Sequence, residues 1–132
     1  MESRKNILII NDDIEMALQM KRWLPLGKYN VDYTLTGESG LQRLNEKFID
    51  LILLDFNLKD DRGHARNALE YIPHINNFSQ KTLIIVTSAT EENVEKMVTG
   101  VPKTLHVDNT IWTRLESIVD DVLEKKNVKR GN

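Results

Sequence analysis

Three short apolar runs stand out in this chain, and each one ends abruptly in polar side chains. The runs are Ile7-Leu8-Ile9-Ile10, Leu51-Ile52-Leu53-Leu54 and Leu83-Ile84-Ile85-Val86. A short continuous apolar run is typical of a strand that is buried on both faces, as in a parallel sheet. The pattern therefore predicts three central strands, over residues 7–10, 51–55 and 83–86.

The segments between these runs carry the apolar spacing of amphipathic helices. They predict helices over residues 14–23, 38–47, 65–75, 91–98 and 110–126, with Pro73 kinking or ending the third. Residues 30–35 alternate polar with apolar side chains, which predicts an edge strand. A weak fifth strand is expected between residues 98 and 107, and a polar loop over 57–64.

Strands thus alternate with helices five times, which favours an α/β fold. The prediction is a five-stranded parallel sheet in a doubly wound arrangement, with right-handed crossovers and helices on both faces. The 132 residues are expected to form a single domain, with an ordered core over about 5–126 and a frayed tail over 127–132.

The amino-acid composition mainly excludes some classes of function. The net charge of -2 gives no general attraction to nucleic acid or to acidic membranes, and no apolar run could span a bilayer. Cysteine is absent, which excludes a thiol nucleophile and a cysteine metal site. A cytoplasmic protein is the simplest interpretation.

The candidate chemistry lies where the apolar runs end. Asn11-Asp12-Asp13, Asp55 and Thr87-Ser88 would meet at one edge of a parallel sheet, where open α/β sheets bind their ligands. Two carboxylates about 4 Å apart repel by roughly 4 kcal/mol at an effective dielectric of 20, so the cluster suggests a bound cation. Mg²⁺ fits, and a carboxylate beside it can attack phosphorus. Taken alone, Asp55 could instead be a simple turn cap.

Over essentially its whole length, the chain resembles a receiver domain of two-component response regulators. The resemblance rests on the three strand-end motifs, in order, together with Gly63. It implies a flavodoxin-like fold, with Asp55 as the phosphoacceptor for a histidine kinase or phosphotransfer protein. It also implies that Mg²⁺ binds Asp12, Asp55 and the backbone carbonyl of Asn57, and that Thr87 is the switch hydroxyl.

Two departures from the family pattern bear on the site. Asn11 stands where the family usually has a first acidic residue, which predicts weaker Mg²⁺ binding unless Asp13 compensates. The family lysine normally ends the fifth strand, and Lys103 is the preferred candidate. If Thr104-Leu105-His106-Val107 is instead that strand, it ends at Asp108 or Asn109 and the lysine is missing. A smaller departure is Lys59, in place of a common proline.

The leading hypothesis is a stand-alone receiver, not an enzyme beyond self-phosphorylation and autodephosphorylation. It would signal by changing a surface that binds a downstream protein target, without direct contact to nucleic acid or membrane. An alternative is a degenerate receiver that binds its partner without phosphorylation. A third hypothesis, a small phosphatase with Asp55 as nucleophile, lacks a general acid because Asn57 stands at that position.

Overall fold

The computed structural model describes residues 4–88, 104–108 and 114–131 of the chain, with side chains over 4–87 and 114–124. The predicted helix over residues 91–98 lies outside these ranges. No helix in the described part of the chain is long and apolar enough to cross a bilayer. The elements are the strands β1 (Lys5–Ile10), β2 (Tyr29–Thr34), β3 (Leu51–Asp55), β4 (Asn57–Lys59), β5 (Ala65–Asn67), β6 (Leu83–Ser88) and β7 (Thr104–Asp108), and the helices α1 (Ile14–Trp23), α2 (Gly37–Glu46), α3 (Ala68–Phe78) and α4 (Leu115–Gly131).

Five of the strands form one parallel sheet in the order β2-β1-β3-β6-β7. The three strands with continuous apolar runs are its central members, as their composition predicts. This confirms the α/β fold with a parallel sheet and helices. The order reverses beside β1, which is the kind of point where such sheets place ligands.

Two apolar layers cover the sheet, one on each face. Alternate residues of each central strand point to opposite faces, so one run supplies both layers. Leu8, Ile52 and Ile84 pack on the face that α3 covers. Ile9, Leu53 and Ile85 pack on the other face, with residues of α1 and α4. Because both faces of the sheet are buried, consecutive residues of the central strands are apolar.

A short antiparallel hairpin, β4–β5, replaces the predicted polar loop after Asp55. Leu58 is 2% exposed and packs in the core on the α3 face, which holds β4 in place. The prediction of a helix from residue 65 was therefore wrong at its start, because residues 65–67 pair with β4 and α3 begins at Ala68.

Pro73 lies inside α3 and does not end it, since the helix continues to Phe78. The prediction of an end near residue 75 was three residues short. Tyr71, Ile72 and Ile75 are buried against the sheet, and this packing outweighs the cost of one missing helical hydrogen bond.

The last helix, α4, starts at Leu115 in the described chain and extends to Gly131, through most of the segment predicted as a frayed tail. Its first turns are tied to the start of β2. Lys28 Nζ lies 2.6 Å from Asp120 Oδ2, and the hydroxyl of Tyr29 donates to the same carboxylate. These contacts tie α4 to the start of β2, on the face of the sheet where residues of α1 also pack.

Candidate functional site

The carboxyl ends of β1, β3 and β6 lie side by side at one edge of the sheet. In the strand register, Ile10 pairs with Leu54 and Asp55 pairs with Thr87. The segment Asn11-Asp12-Asp13 leaves β1 at this edge. The fold therefore brings together Asp12, Asp55 and Thr87, which the sequence holds far apart.

Asp55 carries the clearest electrostatic signature at this edge. Its pKa is raised from 3.8 to about 7, first because burial disfavours the charged form and then because the negative charge of Asp12 lies close to it. The backbone N–H of Asn57 partly offsets this by stabilising the carboxylate, and Asp13 adds a smaller repulsion. The repulsion shows that Asp12 and Asp55 share one electrostatic environment, and a bound cation would relieve it.

The other two polar residues after β1 have structural roles. Asn11 is buried, and its side-chain oxygen accepts the N–H of Asp13 at 2.9 Å. Asp13 is the N-cap of α1, and its Oδ1 accepts the N–H groups of Glu15 and Met16 at 3.0 and 3.2 Å. Asp12 is exposed, and in the described structure it has no such local hydrogen bond. It is therefore the carboxylate of this segment that is available to a ligand.

The hairpin after β3 controls how Asn57 presents its backbone. Ala68 N–H donates to Phe56 O at 2.8 Å, and Asp60 N–H donates to His64 O at 3.0 Å. Antiparallel ladders alternate hydrogen-bonded with non-bonded pairs, so the pair of Asn57 with Asn67 is a non-bonded one. The N–H and C=O of Asn57 therefore point away from β5.

Thr87 lies next to Asp55 on the neighbouring strand and is only 1% exposed. Its carbonyl accepts the N–H of Phe56 at 2.9 Å, which continues the β3–β6 pairing one residue past Asp55. This hydrogen bond holds the backbone of Thr87 beside Asp55.

The fifth strand adopts the second of the two alignments that the sequence leaves open. β7 spans Thr104–Asp108, and Ser88 pairs with Asp108 at its carboxyl end. In this alignment the strand ends in Asp108, with no lysine at that end of the described strand. Lys103, the preferred candidate for the phosphate-binding lysine, lies outside the described residues.

The donor set suits a small divalent cation held mainly by oxygen atoms. No group of three or more His, Asp or Glu side chains in the described chain is arranged to hold a metal ion by itself. Mg²⁺ does not need such a group, because it binds through one or two carboxylates and keeps several waters. Asp12, Asp55 and the outward-facing carbonyl of Asn57 therefore fit it.

These features define a doubly wound α/β protein with an acidic pair and a buried threonine at the carboxyl edge of its sheet. The chain belongs to the response regulator receiver domain family, whose family model matches residues 7–105. No curated protein sequence matches the chain.

Solved structures of receiver proteins share this fold at low sequence identity. A CheY-like receiver domain protein from Methanospirillum hungatei JF-1 is 20% identical, with a TM-score of 0.80 over 96% of this chain and 99% of the other. A receiver protein from Sinorhizobium medicae WSM419 is 16% identical, with a TM-score of 0.77 over 94% and 98%. The response regulator DrrB from Thermotoga maritima is 19% identical, with a TM-score of 0.78, and this chain covers 54% of it.

Sequence reasoning missed that Asp13 caps α1, although it considered Asp13 as a compensating ligand. The signal was present, because Asp13 directly precedes the first residue of a predicted helix. The hairpin β4–β5 had a weaker signal, namely a buried apolar residue, Leu58, within a polar segment.

Proposed function

We propose that this protein is a phosphoacceptor receiver in a two-component system, with Asp55 accepting the phosphoryl group. Receiver domains are signalling modules, and the family assignment supports that general role. The single observation that carries the specific proposal is the position of Asp55 at the carboxyl edge of the sheet, opposite Thr87 and close enough to Asp12 for its pKa to be raised. Carboxylates with strongly perturbed pKa values cluster at functional sites, which favours a functional role for Asp55.

In the proposed reaction, a carboxylate oxygen of Asp55 forms a bond to phosphorus while the bond from phosphorus to the donor breaks. The donor leaves with that electron pair, and Asp55 attacks in its ionised form. Mg²⁺ bound by Asp12, Asp55 and the Asn57 carbonyl would neutralise charge on the phosphoryl oxygens. The Thr87 hydroxyl would then donate to one of these oxygens.

The donor would be the phosphohistidine of a histidine kinase or a phosphotransfer protein. The acyl phosphate carries about -1.5 to -2 charges at the edge of the sheet, beside Thr87, where the carboxylate of Asp55 carried at most one. We propose that Thr87 moves toward this charge and that the surface formed by β7 and α4 changes for a downstream protein target. A cytoplasmic location is part of the proposal. Direct binding to nucleic acid or to a membrane is not part of it.

The test is to incubate the protein with Mg²⁺ and acetyl phosphate and to weigh the intact chain by mass spectrometry. We expect the mass to rise by one phosphoryl group, and Asp55→Asn to abolish the rise because it removes the nucleophile. Asp61→Asn is the matched control, since Asp61 is an exposed carboxylate in the nearby hairpin turn. An unlabelled wild-type chain, alongside a labelled reference receiver, would point instead to a binding module that works without phosphorylation.

A further inference from the structure

The phosphorylated site would carry more negative charge than its magnesium ion can balance. Asp12 contributes one negative charge and the phosphoryl group about -1.5 to -2, and the capping carboxylate of Asp13 lies within electrostatic reach. One Mg²⁺ supplies two positive charges. Preorganised cations that contact the transferred oxygens are a large part of phosphoryl-transfer catalysis, so a further cation is expected at this edge.

The described residues that form this edge contain one cationic side chain. The segments concerned are 11–13, 55–59, 87–88 and the end of β7 at 108, and Lys59 is their only lysine or arginine. Arg66, on the neighbouring strand of the hairpin, is already engaged, with Asp60 at 3.2 Å and Glu70 at 3.1 Å. Lys59 has no ion pair with any carboxylate in the described part of the chain.

In the hairpin, Lys59 lies two residues beyond Asn57, whose backbone carbonyl is the proposed Mg²⁺ ligand. Both are exposed, whereas Leu58 between them points into the core. Two residues of a strand span about 7 Å, a distance that the flexible four-carbon stem of lysine can bridge. The buried Leu58 and the backbone hydrogen bonds on both sides of it keep the hairpin, and hence the origin of this side chain, in a fixed position.

We propose that Lys59 supplies the ammonium group that binds the phosphoryl oxygens at Asp55. In this chain the cation comes from the hairpin that follows the phosphoacceptor, and not from the end of the fifth strand, where Asp108 stands. This inference rests on the function proposed above. It assigns a specific phosphate-binding residue, and it assigns to the hairpin β4–β5 the function of positioning that residue.

The experiment compares rates of Asp55 phosphorylation by acetyl phosphate for the wild type, Lys59→Ala, Lys59→Arg, Arg62→Ala and Lys103→Ala. Lys59→Ala should lower the rate at least about tenfold, because it removes a cation from the transition state, and Lys59→Arg should recover much of it. Arg62→Ala is the matched control, since Arg62 is an exposed cation at the turn of the same hairpin. It should react at the wild-type rate.

Two further readouts separate this role from a structural one. The urea midpoint of Lys59→Ala should equal that of the wild type, since Lys59 is exposed. Binding of beryllofluoride with Mg²⁺, followed by ¹⁹F NMR, should weaken about tenfold in Lys59→Ala, in line with its slower reaction. Unchanged labelling in Lys59→Ala, or a large loss in Lys103→Ala instead, would overturn the assignment while leaving Asp55 as the acceptor. A wild-type chain that takes no phosphoryl group would overturn both proposals.

Discussion

At the scale of single residues, the protonation of Asp55 is the property that links stability to function. Its pKa is about 7 in the folded chain and 3.8 without the fold, so the folded state holds the proton more tightly. Between these two values, the folded state binds more protons than the unfolded state. Its stability therefore falls as the pH rises through this window. Above about pH 7 the folded protein bears the full cost of a charged Asp55 beside Asp12.

This linkage predicts that Asp55→Asn stabilises the metal-free protein at high pH. The gain should be small near pH 4, grow through pH 7 and reach about 2 kcal/mol at pH 8, after allowance for the partial solvent exposure of Asp55. The measurement is urea denaturation in EDTA at several pH values. Asp61→Asn should show no comparable trend, because Asp61 is exposed. If Asp55→Asn gave the same gain at every pH, the burial and charge of Asp55 would not be its source.

At the scale of elements, the close packing of α2 against α3 and β1 depends on two glycines. Gly37 and Gly40 are both buried. A Cβ at Gly37 would overlap the ring of Tyr71 in α3, and a Cβ at Gly40 would overlap Cδ1 of Ile10 in β1. The hydroxyl of Tyr71 also donates to Glu38 at 3.0 Å, which ties the two helices together. The glycines therefore set how closely α2 packs.

We predict that Gly37→Ala destabilises the protein by about 1–3 kcal/mol, because the buried Tyr71 ring has little room to move. The gain in helix propensity, at most about 1 kcal/mol, offsets only part of this. Thermal denaturation provides the measurement, with Gly27→Ala as the control, since nothing lies within 4 Å of a Cβ there. The loss should shrink in a Tyr71→Ala background. An equal loss in both backgrounds would show that the ring is not responsible.

At the scale of the whole molecule, the last helix completes the second apolar layer. Leu115, Val119 and Leu123 are buried with residues of β1, β3 and α1. The ion pair of Lys28 with Asp120 adds a surface contact between distant parts of the chain. An exposed pair of this kind contributes at most about 1 kcal/mol, so the apolar contacts dominate the attachment of α4.

Leu115→Ala should therefore destabilise the whole domain by about 2–5 kcal/mol, because it leaves a cavity in a core that both ends of the chain share. Ser117→Ala, at an exposed position of the same helix, should change the unfolding free energy by less than about 0.5 kcal/mol. Chemical denaturation followed by far-UV circular dichroism measures both. An unfolding transition of α4 that separates from that of the sheet in wild type would contradict this shared core.

The sequence by itself determined the fold class and several elements. Continuous apolar runs require burial on both faces, which a parallel sheet between two helical layers provides. The predicted helix over residues 14–23 and strand over 51–55 coincide with α1 and β3. The segments between these runs have amphipathic spacing, which predicted the helices, because one apolar face of each helix has to be buried.

Only the tertiary structure decided which role each polar residue at the strand ends has. Asn11, Asp12 and Asp13 are short polar residues that follow the same strand. Hydrogen bonds assign Asn11 and Asp13 to a turn and a helix cap and leave Asp12 beside Asp55. The end of the fifth strand at Asp108 likewise follows from pairing with β6. Register depends on contacts with a neighbouring strand distant in sequence, and local patterns carry little information about such contacts.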